Sequence, residues 1–149
     1  MKEEQEHTRV EKIILPERLT EASLPLFLES VSAGFPSPAD DYIQGKLDLN
    51  DHLIRNPAAT FFVRVVGDSM LGAGIYSGDL LVVDRSLNPK DGNIIIAIID
   101  GELLVKRIQK KKSKYYLFPE NPKYEPIEIT ESMQFEVWGV VSTVVHSLL

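Results

Sequence analysis

Cysteine is absent from the chain, which excludes disulfides, thiolate metal sites and a cysteine nucleophile. Histidine is scarce. Only His7, His52 and His146 occur, at spacings that suit no multi-histidine metal centre. No apolar run approaches the roughly 18 residues of a membrane span. The start, Met1-Lys2-Glu3-Glu4-Gln5-Glu6, lacks the apolar core of a secretory signal. Positive charge is in the minority, 16 Lys and Arg against 22 Asp and Glu, for a net charge of −6. That balance argues against a protein whose main affinity is for a phosphate backbone, and it predicts little direct nucleic-acid binding. What is present fits an ordinary globular chain: 149 residues, 44% hydrophobic and 26% charged. The expectation is a cytoplasmic protein with one core and an arm, no membrane contact, no cofactor and no metal.

The arm is residues 1–33. It carries seven Glu against four Lys and Arg, has no sustained apolar period, and is interrupted by Pro16 and Pro25. Its Ile and Leu content predicts docking on a surface rather than a solvating tail. A punctuation cluster follows, Ala33-Gly34-Phe35-Pro36-Ser37-Pro38, and Leu47–Ile54 predicts a short helical turn. From Thr60 onward the pattern is strand, turn, strand. Seven runs qualify: 61–66, 80–83, 93–99, 102–108, 115–118, 127–129 and 135–141. Asp100-Gly101 between the third and fourth is a two-residue hairpin signal. The fold class is therefore mostly β, a compact barrel or sandwich of about seven short strands with an extended N-terminal arm.

Three features could carry chemistry. The run Lys110-Lys111-Lys112-Ser113-Lys114 reads either as a nucleic-acid contact or as a solvated hairpin loop; the acidic chain around it favours the loop. Gly67-Asp68-Ser69-Met70 places a hydroxyl at a turn after a strand, where a nucleophile could be presented, although Gly-Asp-Ser is also an ordinary turn. Lys106 lies in a predicted strand on the face shared by Leu104 and Ile108. A lysine there either snorkels from an edge strand to water or loses its charge, since desolvation lowers its pKa. A neutral amine makes a base for a serine, a known variant of the Ser-His arrangement.

Gly67-Asp68-Ser69-Met70, Ser77-Gly78-Asp79-Leu80-Leu81-Val82-Val83-Asp84 and Asp100-Gly101-Glu102-Leu103-Leu104-Val105-Lys106-Arg107 together resemble the LexA/UmuD family of self-cleaving serine peptidases. Gly34–Tyr42, Leu47-Asp48-Leu49-Asn50 and Trp138-Gly139-Val140-Val141 resemble it as well. The likeness runs from about Leu24 to the C-terminus and leaves residues 1–20 unassigned. It implies Ser69 as nucleophile, Lys106 as general base, and Ala33-Gly34 as the scissile bond. A cut there removes residues 1–33 and leaves a β-rich peptidase and dimerisation domain, residues 34–149.

The 33 residues before that bond, acidic and broken by two prolines, leave no place for a recognition helix, so the expected member is not a DNA-binding repressor. The resemblance implies instead an accessory protein of SOS error-prone DNA repair and translesion synthesis. It would act as a homodimer with an error-prone DNA polymerase subunit (UmuC-like), and its self-cleavage would be stimulated by a RecA filament on single-stranded DNA. Two alternatives stand beside it. One is a non-cleaving interaction module of the same fold, against which the joint presence of Ser69, Lys106 and Ala33-Gly34 weighs. The other is a processing peptidase acting on other proteins, against which the missing membrane anchor weighs.

Overall fold

In the computed structural model, which describes residues 7–16, 23–27 and 43–149, β-branched runs become strands and Gly, Asp and Ser clusters become turns. The elements are β1 (Arg9–Ile14), β2 (Ser23–Phe27), β3 (Ile43–Asp48), α1 (Leu49–Leu53), β4 (Thr60–Val66), β5 (Leu80–Asp84), β6 (Ile94–Ile99), β7 (Glu102–Lys111), β8 (Lys114–Phe118), β9 (Ile127–Glu128) and β10 (Phe135–Val145). The seven strands expected from the sequence are β4 to β10. The mostly β class holds, and helix among the described residues is limited to short turns.

Two compact units form. In the smaller, spanning residues 17–55, β2 and β3 pair antiparallel from Ser23↔Asp48 to Phe27↔Ile43. Helix α1 follows, its N-terminus capped by the Asp48 carboxylate, which accepts from Asn50 N at 2.9 Å. The larger unit joins β1 to everything from Asn56 onward.

Its strands run in the order β1-β4-β5-β10-β6-β7, and β7 returns to β1 through the bridge Arg9↔Leu104. Six antiparallel strands thereby close into a barrel, with β8 and β9 extending the sheet beyond β7. The long strand β10 serves both β5 and β6, helped by register shifts between Val137 and Gly139 and between Val141 and Thr143. At the β6–β7 hairpin, Asp100 and Gly101 have φ of 48° and 85°, both left-handed, as a two-residue turn of the right twist requires. The lysine run forms the β7–β8 turn on the surface, where Lys114 pairs with Glu128 at 3.2 Å.

Period-2 alternation sends Phe61, Val63 and Val65 of β4 into one core with Leu81, Val83, Ile96 and Val105, completed by Met70 and Ile75 from the following loop. Each such side chain contributes on the order of 1.5–3 kcal/mol on burial. A second cluster gathers Ile95, Ala97, Ile108, Leu117 and Val140. Strand β6 thus feeds alternate residues to two cores, which explains its unbroken apolar run. Among the described residues, no helix is long and apolar enough to cross a membrane, and no group of His, Asp or Glu could hold a metal.

Candidate active site

Ser69 sits in the loop that leaves β4, just ahead of a 3₁₀ turn at Leu71–Ala73. This loop is clamped by the segment after β8. Glu120 N donates to Ser69 O at 2.8 Å, and Gly72 N donates to Glu120 O at 2.8 Å. Asn121 Nδ2 donates to Asp68 O at 2.9 Å, and the Tyr124 hydroxyl donates to the Asp68 carboxylate. Two backbones approach so closely here that a Cβ on Gly72 would lie 2.8 Å from Glu120 O, which leaves room only for glycine. Arg107, from β7, holds Glu120 in turn, Nε to Oε1 at 2.5 Å. The nucleophile candidate is therefore fixed from both sides and fully buried.

Lys106 comes from β7, directly across from Ile95 of β6 and between Leu104 and Ile108 on its own strand. The edge-strand reading of this lysine does not hold, because β7 is paired with β6 on one side and with β1 and then β8 on the other. Its side chain is fully buried, and Nζ lies 2.7 Å from Ser69 Oγ. Burial pushes its pKa from 10.5 down to about 8, against a smaller opposite pull from Glu102. Apolar walls make the charged form costly, so mildly alkaline water finds a substantial share of the amine with a free lone pair. A charged Nζ donates to Oγ; once neutral, the same contact reverses and the hydroxyl donates. The pair has the geometry and the proton affinity for a serine to be deprotonated by a lysine.

A third participant has no counterpart in the sequence reading. Thr8 is fully buried beside the pair, with its backbone N–H donating to Ser69 Oγ at 2.8 Å. His7 packs edge-on against Tyr124 with ring centroids 4.6 Å apart. Burial first, and then the nearby Lys106, hold His7 below its ordinary pKa of 6.5. No motif announces this placement. The clamp residues Asn121 and Tyr124 are equally silent in the sequence, where an Asn-Pro turn after a strand is the only local sign of them.

Ala33 and Gly34, the expected scissile bond, lie outside the described residues. His52 is exposed on α1, and His146 Nδ1 lies 2.5 Å from Asp79 Oδ1, away from Ser69 and Lys106 in the fold's hydrogen-bond network.

Residues 25–142 match the family model described as Peptidase S24-like. Protein SamA of Salmonella typhimurium is 49% identical over 135 residues, covering 90% of this chain and 94% of SamA. Protein MucA of Escherichia coli is 42% identical over 128 residues, covering 85% of each. The LexA repressor of Hahella chejuensis is 42% identical over 104 residues, covering 70% of this chain and 52% of the repressor. With the family model spanning most of the molecule and its Ser-Met loop and buried lysine in hydrogen-bond contact, the chain belongs to the peptidase S24-like family.

Proposed function

We propose that the chain is an autoproteolytic serine peptidase that cuts its own Ala33-Gly34 bond with Ser69 and Lys106. The observation that carries this reading is the 2.7 Å contact between a fully buried lysine amine and a buried serine hydroxyl. Neutral Lys106 takes the Ser69 proton as Oγ adds to the Ala33 carbonyl carbon. The Ser69 backbone N–H is the candidate donor for the resulting oxyanion. Collapse breaks the C–N bond, and the Lys106 ammonium returns its proton to the Gly34 amine. Water, deprotonated by Lys106, then releases residues 1–33 with a free carboxylate at Ala33 and restores both side chains. Glycine after the cut suits a tight groove, having no Cβ.

The wider role follows from the resemblance and from the relatives. SamA and MucA align over most of this chain. The reading is an SOS mutagenesis protein whose processed homodimer, residues 34–149, works with an error-prone polymerase subunit, with a RecA filament on single-stranded DNA promoting the cut. The net charge of −6 agrees with contacts to those proteins rather than to the nucleic acid itself.

Intact mass after incubation with and without RecA, single-stranded DNA and a nucleotide tests it. The expected product is residues 34–149, beginning at Gly34, and absent from Ser69→Ala and Lys106→Ala. An uncut chain under all conditions, or a cut that survives either substitution, overturns the reading.

A further inference from the structure

Strand β1 closes the barrel, and it does so across Ser69 and Lys106. It pairs antiparallel with β4 from Arg9↔Val66 to Ile14↔Phe62 and meets β7 at one bridge, Arg9↔Leu104. One residue earlier, Thr8 N–H donates to Ser69 Oγ at 2.8 Å while Thr8 C=O accepts from Val105 N at 3.0 Å. Beyond that point β7 is handed to β8, whose pairing starts at Arg107↔Phe118. Lys106 thus lies at the gap between the two partners of β7, and the backbone of residues 7 and 8 fills that gap. Any extended peptide attacked by Ser69 has to lie in the same place.

The pose is not one for attack. A nucleophile reaches a carbonyl carbon from above the amide plane. An N–H donor holds its acceptor near that plane, on the side opposite the trans carbonyl. Ser69 Oγ has two lone pairs, and here it accepts from Thr8 N–H as well as from Lys106 Nζ. The strand therefore occupies the nucleophile instead of offering it a carbon.

We propose that residues 7–14 are a resident inhibitor strand, holding the peptide groove between β4 and β7 so that the Ala33-Gly34 segment reaches Ser69 only after they leave. The inference rests on the proposed roles of Ser69 and Lys106. The strand is built to be displaced. Among the described residues, Thr8 Oγ1 and His7 Nδ1 are buried without a hydrogen-bond partner, which weakens the docked state. Arg9, Glu11, Lys12 and Ile13 face outward, so Val10 is the side chain of β1 that packs against the main core cluster. The backbone pairing with β4 supplies most of the hold, and that pairing is open to any other extended peptide.

Two substitutions in the full chain push in opposite directions. Thr8→Pro removes the N–H aimed at Ser69 and keeps the carbonyl that serves Val105. Thr8→Val keeps the shape and removes the unpartnered hydroxyl. The rate at which a fluorophosphonate labels Ser69 reports access to the nucleophile independently of any cut. Deuterium exchange of amides 9–14 reports docking of the strand. Thr8→Pro is expected to speed labelling about tenfold, the factor that one lost hydrogen bond of ordinary net strength gives. Thr8→Val is expected to slow it several-fold, and exchange at 9–14 is expected to rise in the first variant and fall in the second. Equal labelling in all three chains, including none in any, overturns the proposal. Faster labelling of Thr8→Pro with no cut at Ala33-Gly34 in any chain leaves the inhibitor strand standing and removes the self-cleavage reading.

Discussion

Replacing Lys106 by methionine tests the cost of burying the amine without relying on catalysis. Methionine fills nearly the same space and carries no titrating group. The comparison is made in a Ser69→Ala background, which stops any cut and also deletes the hydroxyl that Lys106 contacts, so the difference isolates desolvation. The folded-state pKa is about 8 against 10.5 for the free side chain. At about 1.4 kcal/mol per tenfold, that gap corresponds to about 3 kcal/mol. Between those two values the unfolded chain still holds the proton and the folded chain has released it. Stability of the lysine protein therefore rises with pH across this window. Below pH 8 both states are protonated and the whole penalty is present. Urea unfolding at pH 7 should thus find the Lys106→Met protein more stable by about 3 kcal/mol, with the advantage shrinking by about 1.4 kcal/mol per pH unit above pH 8. A difference that stays flat from pH 6.5 to 9.5, or that favours lysine at pH 7, would refute the claim that an amine titrates abnormally in this core.

The same pKa of about 8 predicts a pH profile for the proposed self-cleavage, with Lys106 as its base. The neutral fraction of Lys106 grows about tenfold from pH 7 to pH 9, so product formation followed by intact mass should rise by that factor and level off above pH 9; a flat or falling profile would exclude lysine as the base. Gly72→Ala drives a Cβ to 2.8 Å from Glu120 O in the clamp around Ser69. It should lower stability by roughly 1–3 kcal/mol in urea unfolding and slow the cut in parallel. Tyr124→Phe removes the donor to the Asp68 carboxylate. The loss should show as slower cleavage with the pH midpoint unmoved, since Lys106 keeps its burial.

The barrel strands other than β1 were legible because each carries two independent signals. The run Ile94–Ile99 is apolar throughout and ends in Asp100-Gly101, a pair that suits one turn type. The face of Lys106 was legible for the same reason, since alternation with Leu104 and Ile108 survives in β7. Its depth was not. Whether β7 lies at an edge depends on β1 and β8, which are set by tertiary pairing. Strand β1 escaped because a register shift between Val10 and Lys12 breaks the period-2 pattern, and because its outward face is charged. Ser69 and Lys106 are 37 residues apart; local pattern offered the lysine as one candidate base for the serine, and the resemblance made that pairing an expectation. The clamp spans 53 and 56 positions to Asn121 and Tyr124, a separation over which no periodicity speaks.

The barrel's closing strand lies upstream of Ala33-Gly34, on the part of the chain that a cut at that bond would detach. While the chain is whole, β1 is tethered to its groove, and a tether of this kind supplies a local concentration on the order of millimolar. Severing the tether turns β1 from a strand of the fold into a diffusible peptide at the protein's own, far lower concentration. Its occupancy then follows ordinary mass action, and dilution empties the groove. One broken peptide bond would thus convert a tethered seam of the barrel into a vacancy with two exposed strand edges, β4 and the first half of β7, available to the next extended segment that fits.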